Sequence, residues 1–132
     1  MDLDRFLELT YGFEEEPWLR AREWVTHSLR QTSHAHQTTS YGDLCNALQT
    51  ATGVSLEPHG SPLAAMLGQI NVIEHDAGRP LLSAAVLLKE TGKPGTGFWS
   101  IAREMKMSFS DLDAFWLDSL NECYSYWSKR TP

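Results

Sequence analysis

One apolar run constrains the fold of this chain more than any other feature. Leu81–Leu88 is apolar except at Ser83, and it lies between the turn Asp76–Pro80 and the glycine-rich loop Lys89–Gly97. Its length and its flanking turns predict a buried β-strand, with a helix as the alternative because periodicity alone does not distinguish the two. Because an isolated buried strand would leave backbone groups unpaired, this run needs a partner. The candidate partners are Thr38–Ser40, Val54–Leu56, the start of the Phe98 segment, and the same strand in a second copy.

Most of the remaining sequence has helical periodicity. Leu63, Met66, Leu67, Ile70 and Ile73 fall on one face of a helix and give the clearest pattern. Asp2, Ser40 and Ser110 are suitable N-caps. The predicted helices cover Asp2–Tyr11, Pro17–Thr32, Tyr41–Ala51 and Ser61–His75, with further helices beginning near Phe98 and after Ser110.

The order of these elements predicts the fold class. Helix, short strand, two helices, strand, glycine loop and a second strand follow one another as in a winged helix-turn-helix, with Ser61–His75 as its recognition helix and Lys89–Gly97 as its wing. We therefore expect a mainly α, single domain with two or three short strands. Its parts are N-terminal helices over 1–36, a winged-helix-like core over 37–100 and a C-terminal helical segment over 101–132.

Composition excludes several classes of protein. A chain of 132 residues, 42% hydrophobic and 11% aromatic, is long enough for one real core and too aromatic for disorder. The net charge of −6 disfavours a dedicated non-specific nucleic-acid binder. No apolar stretch is long enough to span a membrane, and the N-terminus lacks a signal-peptide pattern. We expect a cytoplasmic protein in which Cys45 and Cys123 are reduced core residues.

Catalytic and metal motifs are weak. The loop Thr91–Gly97 contains Gly-Lys without the spacing of a phosphate loop, so it is interpreted as a turn, with a wing or an anion site as alternatives. No cysteine or histidine pair has zinc-ligand spacing, although a composite site of His34, His36 and His59 stays open. We predict no catalytic residue, metal or cofactor. A small enzyme using Glu57, His59 or His75 is one alternative.

The leading functional hypothesis comes from the surplus of aromatic residues. Trp24 and Trp99 fall off the apolar stripes of their helices, and Trp is enriched at interfaces. Together with Lys93 they are the predicted interaction residues. The chain is therefore interpreted as a small non-enzymatic protein-interaction or regulatory module, such as an adaptor, inhibitor or immunity-type protein. Another protein is the expected partner, a second copy is an alternative, and a membrane is excluded.

A winged-helix nucleic-acid-binding protein is the other alternative. Gln69 and Asn71 on the recognition helix are residue types that contact base edges. Arg79, Lys89 and Lys93 would supply phosphate contacts from the neighbouring turn and wing.

Three short segments carry a resemblance. Ser40–Leu44, Gly78–Ser83 and Gly95–Trp99 resemble a group of short uncharacterised bacterial proteins across the middle half of the chain. The Tyr-Gly-Asp-Leu opening is also similar to the winged domain of alkylguanine alkyltransferase-like proteins. That family carries a Pro-Cys-His-Arg nucleophile motif, whereas this chain has Pro80-Leu-Leu-Ser83 with no cysteine. The resemblance implies a bacterial origin and a winged fold without alkyl transfer.

Overall fold

Six helices and one pair of short strands make up the structure, a computed structural model that describes residues 1–132. The prediction of a mainly α chain with a small β element is confirmed. The helices are α1 (Leu3–Glu8), α2 (Glu15–His34), α3 (Tyr41–Thr52), α4 (Ser61–Asp76), α5 (Gly97–Glu104) and α6 (Leu112–Ser128), and the strands are β1 (Thr39–Ser40) and β2 (Val86–Leu87).

The helices begin and end where local chemistry favours it. The Ser40 hydroxyl accepts a hydrogen bond from the Asp43 N–H at 3.1 Å and caps α3, as predicted. Gly53, with a φ of +79°, ends the same helix in the left-handed region. The predicted cap of α6 was one residue early, because Asp111 rather than Ser110 accepts from the Ala114 N–H at 3.0 Å.

The main core surrounds α2. Trp18, Val25 and Leu29 on this helix are fully buried. They belong to one cluster with apolar residues of α3 and α4 and with Trp127 of α6. The N-terminal and C-terminal helices therefore share a core with the middle of the chain. No helix combines the length and the apolar character that a membrane span requires.

The run Leu81–Leu88 is a strand over only part of its length. Strand β2 covers Val86–Leu87, and a 3-10 turn occupies Leu82–Ala85 before it. Side chains bind the backbone of this turn, since the Ser83 N–H donates to Asn71 at 3.1 Å and the Ala84 carbonyl accepts from Trp116 Nε1 at 3.0 Å. The first half of the run therefore needs no partner strand.

The strand pair differs from the sheet of a winged helix. Strand β1 pairs with β2 in parallel, with Thr39 opposite Val86 and Ser40 opposite Leu87. This confirms Thr38–Ser40 as the partner segment. The Phe98 segment is the helix α5, which begins inside the range predicted for the winged core. The loop Lys89–Gly97 thus joins a strand to a helix, so a hairpin wing is not formed and the winged-helix arrangement is not confirmed.

Candidate functional site

The candidate site is a cavity of about 320 Å³ between α3, α4 and α5. The N-terminal end of α3, the loop before α4, the 3-10 turn and the glycine-rich loop all contribute to its lining. Four segments that are distant in sequence thus meet at one place. Cavities of this size are typical of small-molecule sites.

Tyr41 supplies the first polar group of the cavity. Its hydroxyl oxygen accepts a hydrogen bond from the Gly95 N–H at 2.9 Å, which ties the glycine-rich loop to α3. Burial raises the pKa of Tyr41, although the Gly95 hydrogen bond opposes this shift. The hydroxyl therefore keeps its proton near neutral pH, and no protein atom accepts that proton.

Asn71 and Ser83 supply the second polar group. Asn71 Nδ2 donates to Ser83 Oγ at 2.7 Å, and Asn71 Oδ1 accepts from the Ser83 N–H at 3.1 Å. Both residues are buried and both line the cavity. The Ser83 oxygen is thereby held as an acceptor, while its own O–H has no protein acceptor. Ser83 is thus a second hydroxyl with a free proton.

Residues at two helix N-termini line the same cavity. Helix α4 follows Gly60 and helix α5 follows Thr96, and neither of these N-cap residues accepts a side-chain hydrogen bond from the first turn of its helix. Gly60, Thr96 and Gly97 all line the cavity. The amide groups at a helix N-terminus carry partial positive charge and favour negatively charged groups. The polar side of this cavity therefore suits a hydrogen-bond acceptor.

The remaining walls are mostly apolar. Leu67, Leu88, Phe98 and Ile101 line the cavity, and the exposed His59 is its one imidazole. Ser83 has no side-chain base as a hydrogen-bond partner, because its one side-chain partner is the amide donor of Asn71. A serine activated as a nucleophile needs an adjacent base. Ser83 therefore lacks the hydrogen-bonded base of an activated serine in this structure.

Two predicted nucleic-acid contacts are interior residues. Gln69 and Asn71 are both 0% exposed. Gln69 bridges Trp18 and the backbone of Phe6, while Asn71 binds Ser83. The prediction that Gln69 and Asn71 contact nucleic acid was wrong. Helix α4 is buried on several sides, so its polar residues are buried together with its apolar ones.

The predicted cations are exposed to different degrees, and each faces a carboxylate. Lys89 Nζ lies 3.7 Å from Asp43, and Lys93 Nζ lies 2.9 Å from Asp113. Arg79 binds both carboxylate oxygens of the buried Glu74, at 3.0 and 3.1 Å, and this hydrogen bonding raises the pKa of Arg79. Their charges are thus partly neutralised within the protein.

The two tryptophans predicted at an interface lie at or near the core. Trp99 is buried, and its Nε1 donates to the Leu112 carbonyl at 3.0 Å. Trp24 is partly buried and packs against the main cluster. The prediction of a surface position for Trp99 was wrong. Trp99 lies outside the predicted apolar stripe of α5, but residues of α6 pack against it.

The histidine and carboxylate candidates do not meet. His59 precedes α4 and His75 lies in its last turn, and the helix from Ser61 to His75 spans about 21 Å at a rise of ~1.5 Å per residue. Glu57 is exposed. His34 binds the Trp127 carbonyl at 2.7 Å, and His36 stacks on a tyrosine ring. No group of three or more His, Cys, Asp or Glu side chains is placed to hold a metal ion.

Sequence reasoning missed Tyr41 and Ser83 as a pair. The signal for Ser83 was its position as the one polar residue in an apolar run. Sequence reasoning also missed the two ion pairs of Glu74. Its carboxylate accepts a hydrogen bond from Arg30 at 2.7 Å and pairs with Arg79 as well. By contrast, Cys45 and Cys123 are free and buried, as predicted.

Comparison of the chain with protein-family models, with curated proteins and with solved structures finds no match. The cavity described above is therefore the basis of the functional argument.

Proposed function

We propose that this protein is a non-enzymatic regulatory module of the bacterial cytoplasm that binds a small ligand in the cavity between α3, α4 and α5. One observation carries the proposal. The hydroxyls of Tyr41 and Ser83 are each fixed by an accepted hydrogen bond, and each has a free proton in the same cavity. Ser83 is buried and Tyr41 is half-buried, so a ligand that supplies hydrogen-bond acceptors to both hydroxyls gains specific affinity here.

The cavity also connects the parts of the structure that a regulator would need to couple. Tyr41 holds the glycine-rich loop through Gly95, and Ser83 lies in the turn that leads into β2. A ligand bound to both hydroxyls would bridge α3, the loop and the turn. Such a ligand stabilises the conformation it binds, which is how binding is transmitted to a partner. A protein partner, as expected of an adaptor, inhibitor or immunity-type module, stays a prediction.

A fragment screen tests the proposal. Small molecules with one or two hydrogen-bond acceptors are added to the isotopically labelled protein, and NMR shifts locate their binding. We expect hits to perturb the amide signals of Gly95 and Ser83. Tyr41→Phe and Ser83→Ala should each weaken these hits by about 3- to 10-fold, the value of one neutral hydrogen bond.

Matched variants separate binding from folding. Tyr126→Phe alters a partly buried tyrosine, and Ser119→Ala alters a buried serine, and neither residue lines the cavity. Both should leave fragment affinity unchanged. A screen without hits at the cavity, or hits that bind equally to wild-type, Tyr41→Phe and Ser83→Ala proteins, would count against the proposal.

Nucleic-acid binding stays the alternative prediction. Lys89 is 72% exposed in its side chain and is the cation best placed for a phosphate contact. If this alternative holds, binding should weaken with salt and with Lys89→Ala and Lys93→Ala. Binding that is absent, or insensitive to salt, would exclude it.

A further inference from the structure

A second cavity of about 320 Å³ adjoins the first one between α1, α4 and α5. Phe6, Ala65 and Ile101 supply much of its apolar wall, and its one carboxylate, Glu104, is paired with the α-amino group of Met1 at 3.1 Å. Four residues line both cavities: Ala64, Gly68, Gly97 and Ile101. The two cavities are therefore neighbours along one groove.

Two glycines, Gly68 and Gly97, lie at the boundary between the cavities, together with Ala64 and Ile101. A Cβ atom on Gly68 would lie 3.1 Å from Cζ of Phe6, so the absence of a side chain lets the Phe6 ring seat against α4. A Cβ atom on Gly97 would meet no atom within 4 Å. Gly97 is exposed and lines both cavities, so a side chain there would enter open space where the cavities meet. Its backbone does not require glycine, because its φ is not positive.

From this arrangement we propose, building on the proposed function, that the ligand is a linear amphiphile with a carboxylate head and an unbranched apolar tail. The head binds the Tyr41 and Ser83 hydroxyls in the first cavity, which Gly97 at the start of α5 also lines. The tail passes Gly97 and lies in the apolar cavity beside Phe6.

Charge supports the carboxylate as the head group. No aspartate or glutamate lines the first cavity, and its polar contributors include two O–H donors and two helix N-termini. Helix N-termini stabilise anions, and hydroxyl donors bind a carboxylate more strongly than a neutral acceptor. A cationic head would find few acceptors in the same place.

A homologous series of ligands tests the tail. Calorimetry measures the affinity of straight-chain carboxylates from acetate to decanoate, each below its micellisation concentration. We expect affinity to rise about 3- to 4-fold for each added methylene, the effect of burying one such group, and to level off once the second cavity is filled. Decylamine, with the same apolar length and a cationic head, should bind much more weakly than decanoate.

A blocking variant tests the path of the tail. Gly97→Leu places a side chain where the two cavities meet, so it should remove the gain in affinity with chain length, whatever its effect on the affinity of acetate itself. Gly42→Leu is the matched control, because a Cβ at Gly42 also meets no atom within 4 Å and Gly42 lines neither cavity. The control should retain the full chain-length series.

The outcomes distinguish this inference from the proposed function. Affinity that is independent of chain length, equal binding of decylamine and decanoate, or an unchanged series in Gly97→Leu would each overturn the amphiphile. Failure of every carboxylate to bind would also overturn it, while hits at Tyr41 and Ser83 in the fragment screen would leave the proposed function standing. A cavity that binds no compound of either set would overturn both.

Discussion

The buried amide of Gln69 is the sharpest test of how this fold is held together. Its oxygen accepts from Trp18 Nε1 and from Arg22, both at 2.9 Å, and its nitrogen donates to the carbonyls of Phe6 and Leu9 at 2.9 and 2.8 Å. One side chain thereby joins α1, α2 and α4. The substitution Gln69→Leu keeps a similar volume and removes all four hydrogen bonds.

The expected loss follows from which partners stay buried. The Trp18 side chain is fully buried, and its indole N–H loses its partner when Gln69 is replaced. The Phe6 carbonyl stays paired, because it also accepts from the Leu9 N–H at 3.3 Å. A buried group that loses its partner costs about 1–3 kcal/mol. The partly buried contacts of Arg22 and Leu9 can turn to water and add little. Gln69→Leu should therefore lower the free energy of unfolding by about 2 kcal/mol, which at a urea m-value of ~2 kcal/mol/M lowers the midpoint by about 1 M.

Urea unfolding followed by circular dichroism measures this midpoint. Gln49→Leu is the matched control, because Gln49 is exposed on α3 and its replacement should change stability by less than about 0.5 kcal/mol. A Gln69→Leu protein as stable as the wild type would refute the bridging role.

Three further predictions follow from buried groups. Glu74→Gln leaves Arg30 and Arg79 without a counter-charge and should lower the free energy of unfolding, measured in thermal melts, by about 2–3 kcal/mol. The loss stays below the ~3–5 kcal/mol of a fully buried pair because both arginines are partly exposed. The exposed Glu57→Gln should have no effect, and equal losses in the two variants would contradict the prediction. Burial raises the pKa of Cys123 to about 12. The contribution of this thiol to the free energy of unfolding is therefore complete below pH ~9 and falls by about 1.4 kcal/mol per pH unit as the pH rises toward 12. Urea midpoints measured over this pH range should show the slope, and Cys123→Ala should reduce it. Trp99→Ala should lower the free energy of unfolding by about 3–5 kcal/mol in the same melts, and Trp24→Ala, at a partly buried position, should lower it less. The reverse order would contradict the burial of Trp99.

The helices were predictable because local signals agree with the tertiary structure. The stripe of α2, with Trp18, Val25 and Leu29, is the one that the core buries. Ser40 caps the helix it was expected to cap. Such signals depend on residues three or four positions apart, so one sequence contains them completely.

The apolar run and the candidate site depended on long-range partners. Leu81–Leu88 has the composition of a strand, yet Asn71 and Trp116 satisfy the backbone of its first half. Tyr41 meets Gly95, and Ser83 meets Asn71, only after the chain has folded. No local pattern shows which buried polar groups will become partners. For the same reason the interior position of Gln69 was not foreseen.

The parallel pairing of β1 with β2 has a consequence for folding kinetics. Helices α3 and α4 lie between these strands, so the pair closes about 50 residues of chain through a register of only two residues on each side. Closing such a loop has an entropic cost that the few hydrogen bonds of a two-residue ladder do not offset by themselves. The ladder therefore becomes stable only after the intervening helices have packed. We therefore expect the ladder to be unformed in the folding transition state. Substitutions at Thr39 or Leu87 should then accelerate unfolding and leave the folding rate nearly unchanged.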